Sequence, residues 1–110
     1  MADAPELLLC LSTVASTEDA DRLAALLLEH SLAACVQIDG PIRSHYRWQG
    51  QTHCDQEYRL LIKSSLAVWE PLKAKLIEAH PYEEPQIVMI PIADAAAGYR
   101  DWVLEQTSTS

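Results

Sequence analysis

The chain has 110 residues, 49% of them hydrophobic and 22% charged, a composition that folds and lies far from the low-hydrophobicity, high-charge signature of disorder. Its length fits a single domain, 1–110, with a core from about residue 6 to 106. Eight Lys+Arg against sixteen Asp+Glu leave a formal net charge of -8, so no basic tract is available to displace counterions from a nucleic-acid backbone, and nucleic acid is excluded as a partner class.

Leu7 to Leu11 is far shorter than a membrane span, and Asp3 and Glu6 precede it where a secretory signal carries positive charge. The expectation is a cytoplasmic protein without a membrane partner. Cys10, Cys35 and Cys54 form an odd set without CxxC spacing, which indicates neither a disulfide framework nor a zinc knuckle and leaves at least one thiol free.

Glu6 to Thr13 is a nearly continuous apolar run, the pattern of a central strand covered on both faces. Ser16-Thr17-Glu18-Asp19 then gives a helix start signal. Ala20, Leu23, Ala24, Leu27 and Leu28 follow at helical spacing, and Ser31 closes the helix. A second strand begins at Leu32, runs to Ile38 and meets Gly40-Pro41, where a bend or bulge is expected. Extended character resumes from Ile42 to Trp48. Gln49-Gly50-Gln51 reads as a turn into Glu57 to Ser64, where Tyr58, Leu60 and Ile62 alternate. The arms, from about Ala33 to Trp48 and Thr52 to Ser64, would reach roughly 40 to 50 Å at ~3.3 Å per residue, so the hairpin tip should project beyond a small domain.

Trp69, Leu72, Leu76 and Ala79 lie at helical spacing. Pro71 requires the helix to start close before it, and His80-Pro81 ends it. Gln86 to Ile92 reads as a fourth strand, Ala95 to Gln106 as a short last helix carrying Tyr99, Trp102 and Val103, and Thr107 to Ser110 as a fraying polar tail. The order β-α-β-β-α-β with an added helix is the α+β, ferredoxin-like pattern of a four-stranded antiparallel sheet with both main helices on one face. Its other face needs a cover, and in an acidic chain that cover is another subunit.

His80-Pro81-Tyr82-Glu83-Glu84-Pro85 is the densest chemical cluster. His80 and Glu83 suit a divalent transition cation; the alternative is a helix stop whose histidine caps carbonyls and whose tyrosine packs on a neighbour. Cys35 reads as a small buried hydrophobe before a nucleophile, and Cys10 likewise. Cys54, between His53 and Asp55 near the hairpin tip, reads either as an exposed loop residue or as a surface metal trap. Tyr46, Trp48, Tyr82, Tyr99 and Trp102, with charged Lys63 and Glu57, either line a ligand cleft or form an aromatic subunit interface with Lys63 and Glu57 paired. No glycine-rich phosphate loop, GxSxG elbow or HExxH motif occurs, and the expectation is that the chain is not an enzyme.

Together, Leu32-Ala33-Ala34-Cys35-Val36, Ser44-His45-Tyr46-Arg47-Trp48-Gln49-Gly50, Glu57, Ile62-Lys63, His80-Pro81-Tyr82-Glu83-x-Pro85 and Tyr99-x-x-Trp102 resemble the CutA divalent-cation tolerance family. The resemblance runs from about Leu8 to Trp102. It implies a ferredoxin-like subunit in a tight homotrimer whose hairpins pair between subunits, similar to the PII signal proteins. It also implies tolerance of copper and other divalent cations, with copper binding described for some members and acetylcholinesterase anchoring for an animal branch, and no established catalytic reaction. Where copper ligands are assigned, a cysteine closes the first strand and paired histidines precede the Pro-Tyr. Here Ser12 and Ala79-His80 stand at those positions, so a copper site would keep His80 and recruit Glu83, Cys35, water or a neighbouring subunit. Two functional expectations follow: a homotrimeric cation-response protein binding copper or another divalent cation through His80, Glu83 and Cys35, or a PII-like regulator or scaffold. The second would take a small anion or protein partner at a cleft of Tyr46, Trp48, Glu57, Lys63, Tyr82 and Trp102.

Overall fold

The apolar run after Glu6 becomes strand β1 (Leu7–Val14), the centre of the architecture, in a computed structural model that describes residues 4–108. Helix α1 (Thr17–Glu29) starts where Ser16, in extended backbone, accepts a hydrogen bond from the Asp19 amide at 3.1 Å. It ends in a Schellman motif: Ser31 sits at φ 56°, its amide donates to Leu28 O and the Leu32 amide donates to Leu27 O at 2.9 Å. Strands β2 (Cys35–Trp48) and β3 (Gln51–Ser65) form the long hairpin. A 3-10 turn at Leu66–Val68 leads into α2 (Trp69–Ala79), followed by β4 (Val88–Ile92) and α3 (Ala97–Gln106). Pro71 falls in the first turn of α2, where its missing N–H would have had no helical partner.

The sheet is antiparallel throughout, in the order β2-β3-β1-β4, which is the ferredoxin-like arrangement the element order implied. Pro91 is tolerated inside β4 because that strand lies at an edge. Residues Leu8, Cys10 and Val14 of β1 alternate toward α1 and α2 and pack with Leu60, Ile62, Leu23, Leu27, Leu72 and Leu76, all at 0% exposure. Of the expected α1 stripe, Ala20, Leu23 and Leu27 are buried, while Leu28 points outward at 48% exposure.

Among the described residues, the opposite face is covered only at one end, where α3 seats Val103 against Leu7 and Ala34. Thr107 is part of that contact and not of a frayed tail. It is buried, and its hydroxyl donates to Val103 O and sits 2.9 Å from the Ser65 hydroxyl; Thr109 and Ser110 of the expected tail lie outside the described residues. Leu9, Leu11 and Leu61 remain half-buried on this face, and Val88 and Ile90 stand exposed beside them.

Gly40-Pro41 produces a bulge, not a strand break. Asp39 pairs with Arg59 and Ile42 with Glu57, so two residues of β2 oppose Tyr58 alone. Gly40 is required there: its φ is 142°, and a Cβ would come within 2.8 Å of Tyr58 Cδ1 and 3.0 Å of the Glu57 carbonyl oxygen. At the tip, Gln49 (φ 51°) and Gly50 (φ 77°) form a two-residue turn with both central residues at positive φ, closing on the Trp48–Gln51 pair. The long axis of the molecule, 46 Å, matches a 14-residue strand at ~3.3 Å per residue. From residue 43 to 56 every side chain is exposed except half-buried Ser44, so the outer hairpin projects as its length required.

Candidate functional site

The first residue group lies at the base of the hairpin. His80 caps α2 in extended backbone (ψ 137°), the conformation that a following proline enforces, and its amide closes the last turn on Leu76 O. Its ring turns inward and is 8% exposed. Nδ1 accepts the Tyr82 amide at 3.1 Å, which leaves the proton on Nε2; Nε2 donates to Thr13 O at 3.0 Å and lies 3.1 Å from the Ser12 hydroxyl. Burial holds the imidazole below the usual histidine range, only partly opposed by the Thr13 carbonyl. It is a neutral ring with both nitrogens engaged. Tyr82 packs against it, ring centroids 4.9 Å apart, and its hydroxyl donates to Glu57 Oε2 at 2.7 Å. Glu57 is 8% exposed and stands just past the end of β1, whose last residue, Val14, pairs with Tyr58. Burial first, and the Glu57 carboxylate second, push the Tyr82 phenol well above its ordinary range.

On the outer hairpin, directly opposed residues share a face and consecutive residues alternate. Tyr46 is opposite His53, stacked at 5.2 Å with rings 18° from parallel, and its hydroxyl donates to Asp55. Cys54 therefore points away from its sequence neighbours His53 and Asp55. Of the two readings of this run, the His-Cys-Asp trap does not form and Cys54 is exposed, though on a strand and not in a loop; the residue facing it is His45 on the other strand, with Sγ and Nε2 3.5 Å apart. Trp48, the last residue of β2, stands exposed at the tip.

The third group occupies the open sheet face near α3. Lys63 pairs with Leu9 on one side and Cys35 on the other, and its ammonium donates to Gln37. Tyr99 and Trp102 of α3, both exposed, pack with ring centroids 5.8 Å apart and planes tilted by 42°. Partial burial first, and a Coulombic influence of Cys35 second, raise the Tyr99 phenol above its ordinary range.

With this geometry in place, residues 8–106 match the family model described as CutA1 divalent ion tolerance protein. The chain is 44% identical over 97 residues to the divalent-cation tolerance protein CutA of Thermus thermophilus, covering 88% of this chain and 94% of that one. The chain belongs to the CutA1 family. Among solved structures, that of the Thermus thermophilus divalent cation tolerance protein shares 42% identity at a TM-score of 0.89, over 93% of this chain and 99% of that one. CutA1 from Shewanella sp. SIB1 shares 31% identity at 0.92, over 97% and 100%.

Within one chain, the residues expected to ligate a metal in this CutA1 member do not meet. His80 offers no free lone pair, Glu83 is exposed, and Cys35 lies on the opposite face of the sheet from the ring of His80. Among the described residues no group of three or more His, Cys, Asp or Glu side chains is placed to hold a metal ion. The expected cleft also divides. Glu57 and Tyr82 touch, whereas Tyr46 is held farther out on the hairpin by Asp55 and His53; Lys63 is six residues along β3 from Glu57, about 20 Å at ~3.3 Å per residue. Lys63 and Glu57 are not paired with one another: the first holds Gln37 and the second Tyr82. Trp102 sits with the Lys63 group through α3, whose Val103 packs on Leu7 at that end of the sheet. Sequence reasoning missed His45, Asp55 and Gln37 as partners, although the two-residue turn alone places His45 opposite Cys54.

Proposed function

We propose that this chain acts in divalent-cation tolerance as a non-catalytic, cytoplasmic homotrimer that binds copper or another thiol- and imidazole-preferring divalent cation. The observation that carries the reading is the family match over residues 8–106, with relatives named for divalent-cation tolerance. The half-covered sheet face supports assembly: Leu9, Leu11, Leu61, Val88 and Ile90 form an apolar surface, while on the other face Leu8, Cys10, Val14, Leu60 and Ile62 are at 0% exposure. Both edges of the sheet, β2 and β4, keep unpaired backbone groups that neighbouring copies would extend. No helix among the described residues is long and apolar enough to cross a membrane.

The His80 network enters this reading as a positioning element. It ties the end of α2 to β1 and, through Tyr82, to the hairpin base at Glu57. Native mass spectrometry of the full chain, with and without one equivalent of Cu(II) or Zn(II) per chain, tests the proposal. The expected spectrum is a trimer that gains a fixed number of metal ions. A monomer, or a trimer that retains neither metal, would overturn it.

A further inference from the structure

Cys54 and His45 are directly opposed in the outer hairpin, exposed, and in contact through Sγ and Nε2 at 3.5 Å. A sulfur bound to zinc at about 2.3 Å and a nitrogen at about 2.0 to 2.1 Å, set 3.5 Å from one another, subtend about 107° at the metal, close to the tetrahedral angle. A linear two-coordinate ion would need the same atoms about 4.4 Å apart. The pair is thus spaced as two adjacent vertices of a tetrahedral site without movement of either strand.

We infer that His45 and Cys54 form a binding site for a tetrahedral, thiophilic divalent cation of the zinc class, with two further positions open to water. The inference rests on the divalent-cation reading above and names the residues that would serve it. On binding, the Cys54 thiol gives its proton to solvent and coordinates as thiolate, and neutral His45 coordinates through the Nε2 lone pair with its proton on Nδ1. No redox step is involved. Selectivity comes from the rest of that face, where the register sets Arg43, Arg47, Thr52 and Gln56 around the pair and leaves Asp55 on the other side. With two guanidinium groups and only the neutral oxygens of Thr52 and Gln56 among these same-face neighbours, an oxygen-seeking cation such as Mg²⁺ or Ca²⁺ finds no carboxylate to hold it. A cation bound through sulfur needs none.

The test is a Co²⁺ titration of the full chain, kept reduced with a phosphine, followed by thiolate-to-cobalt charge-transfer absorbance. The expected result is a saturable band that Zn²⁺ abolishes and a large excess of Mg²⁺ leaves intact. Cys54→Ser should remove it, and His45→Gln should weaken binding roughly 10-fold or more, at least what loss of an outer-shell partner costs. Cys10 is not an alternative source: it is fully buried and its thiol is pushed up to about 12 by that burial. A band that survives in Cys54→Ser, or its absence from the intact chain, would overturn the site. Cobalt retained in equilibrium dialysis without any such band would overturn this site while leaving the divalent-cation reading standing. A chain that retains no cobalt, zinc or copper would overturn both.

Discussion

His80 illustrates how the same residue type serves packing or ligation according to what its two nitrogens face. Here a backbone amide takes one and a backbone carbonyl the other. Because burial depresses its folded-state pKa below about 6.5, the unfolded chain binds the proton first, so His80 contributes stability at neutral pH that is lost as pH falls below about 6.5. Comparing Tm at pH 7.5 and 5.0 for the intact chain and His80→Gln checks this, and the variant should show a shallower acid-side decline. Tyr82→Phe removes the hydroxyl that satisfies buried Glu57, which should cost about 1 to 3 kcal/mol in urea unfolding. The cluster from His80 to Pro85 was legible as the place where chemistry-bearing side chains gather, and the helix stop was legible from His80-Pro81. Its inward partners were not, because Ser12 and Thr13 lie 68 and 67 positions away and only the sheet brings them under the helix end.

At the scale of elements, local signals carried most of the fold. Ser16 and the acidic residues after it announced the start of α1, and Ser31 its end. Ser31 pays a steric penalty at φ 56° that glycine would not. Ser31→Gly should therefore stabilise the protein by about 0.5 to 1 kcal/mol, the left-handed penalty less the entropy glycine loses on folding, read as a raised urea midpoint. Gly40→Ala should do the reverse, costing about 2 kcal/mol or more, since the bulge needs both the positive φ and the space against Tyr58. Hairpin length and the bulge were visible in composition and spacing. The exact partner of each hairpin residue depended on the turn, and taking Gln49-Gly50-Gln51 as the turn hides what a two-residue Gln49-Gly50 turn reveals, namely that position 45 faces 54 and 46 faces 53.

At the scale of the whole molecule, the two sheet faces differ in kind. One is closed by α1 and α2, while the other carries α3 at one end and leaves Leu9, Leu11, Leu61, Val88 and Ile90 uncovered. Alternation of Tyr58, Leu60 and Ile62 in β3 made the buried face legible, whereas the unbroken apolar run of β1 suggested cover on both faces; the split of the expected cleft was not legible, since Lys63 and Glu57 share a strand and only its length separates them. Leu61→Asp adds a charge to the open face without touching the closed core, so it should lower the oligomeric state in sedimentation velocity while keeping the far-ultraviolet circular dichroism. The most direct measurement is a crystal structure of the full chain grown with Co²⁺, with anomalous data collected at the cobalt edge. The expected map shows three chains around a threefold axis covering the open sheet faces, with an anomalous peak between His45 Nε2 and Cys54 Sγ and none at His80. Monomers with that face in solvent, or a cobalt ion bound to His80, would contradict it.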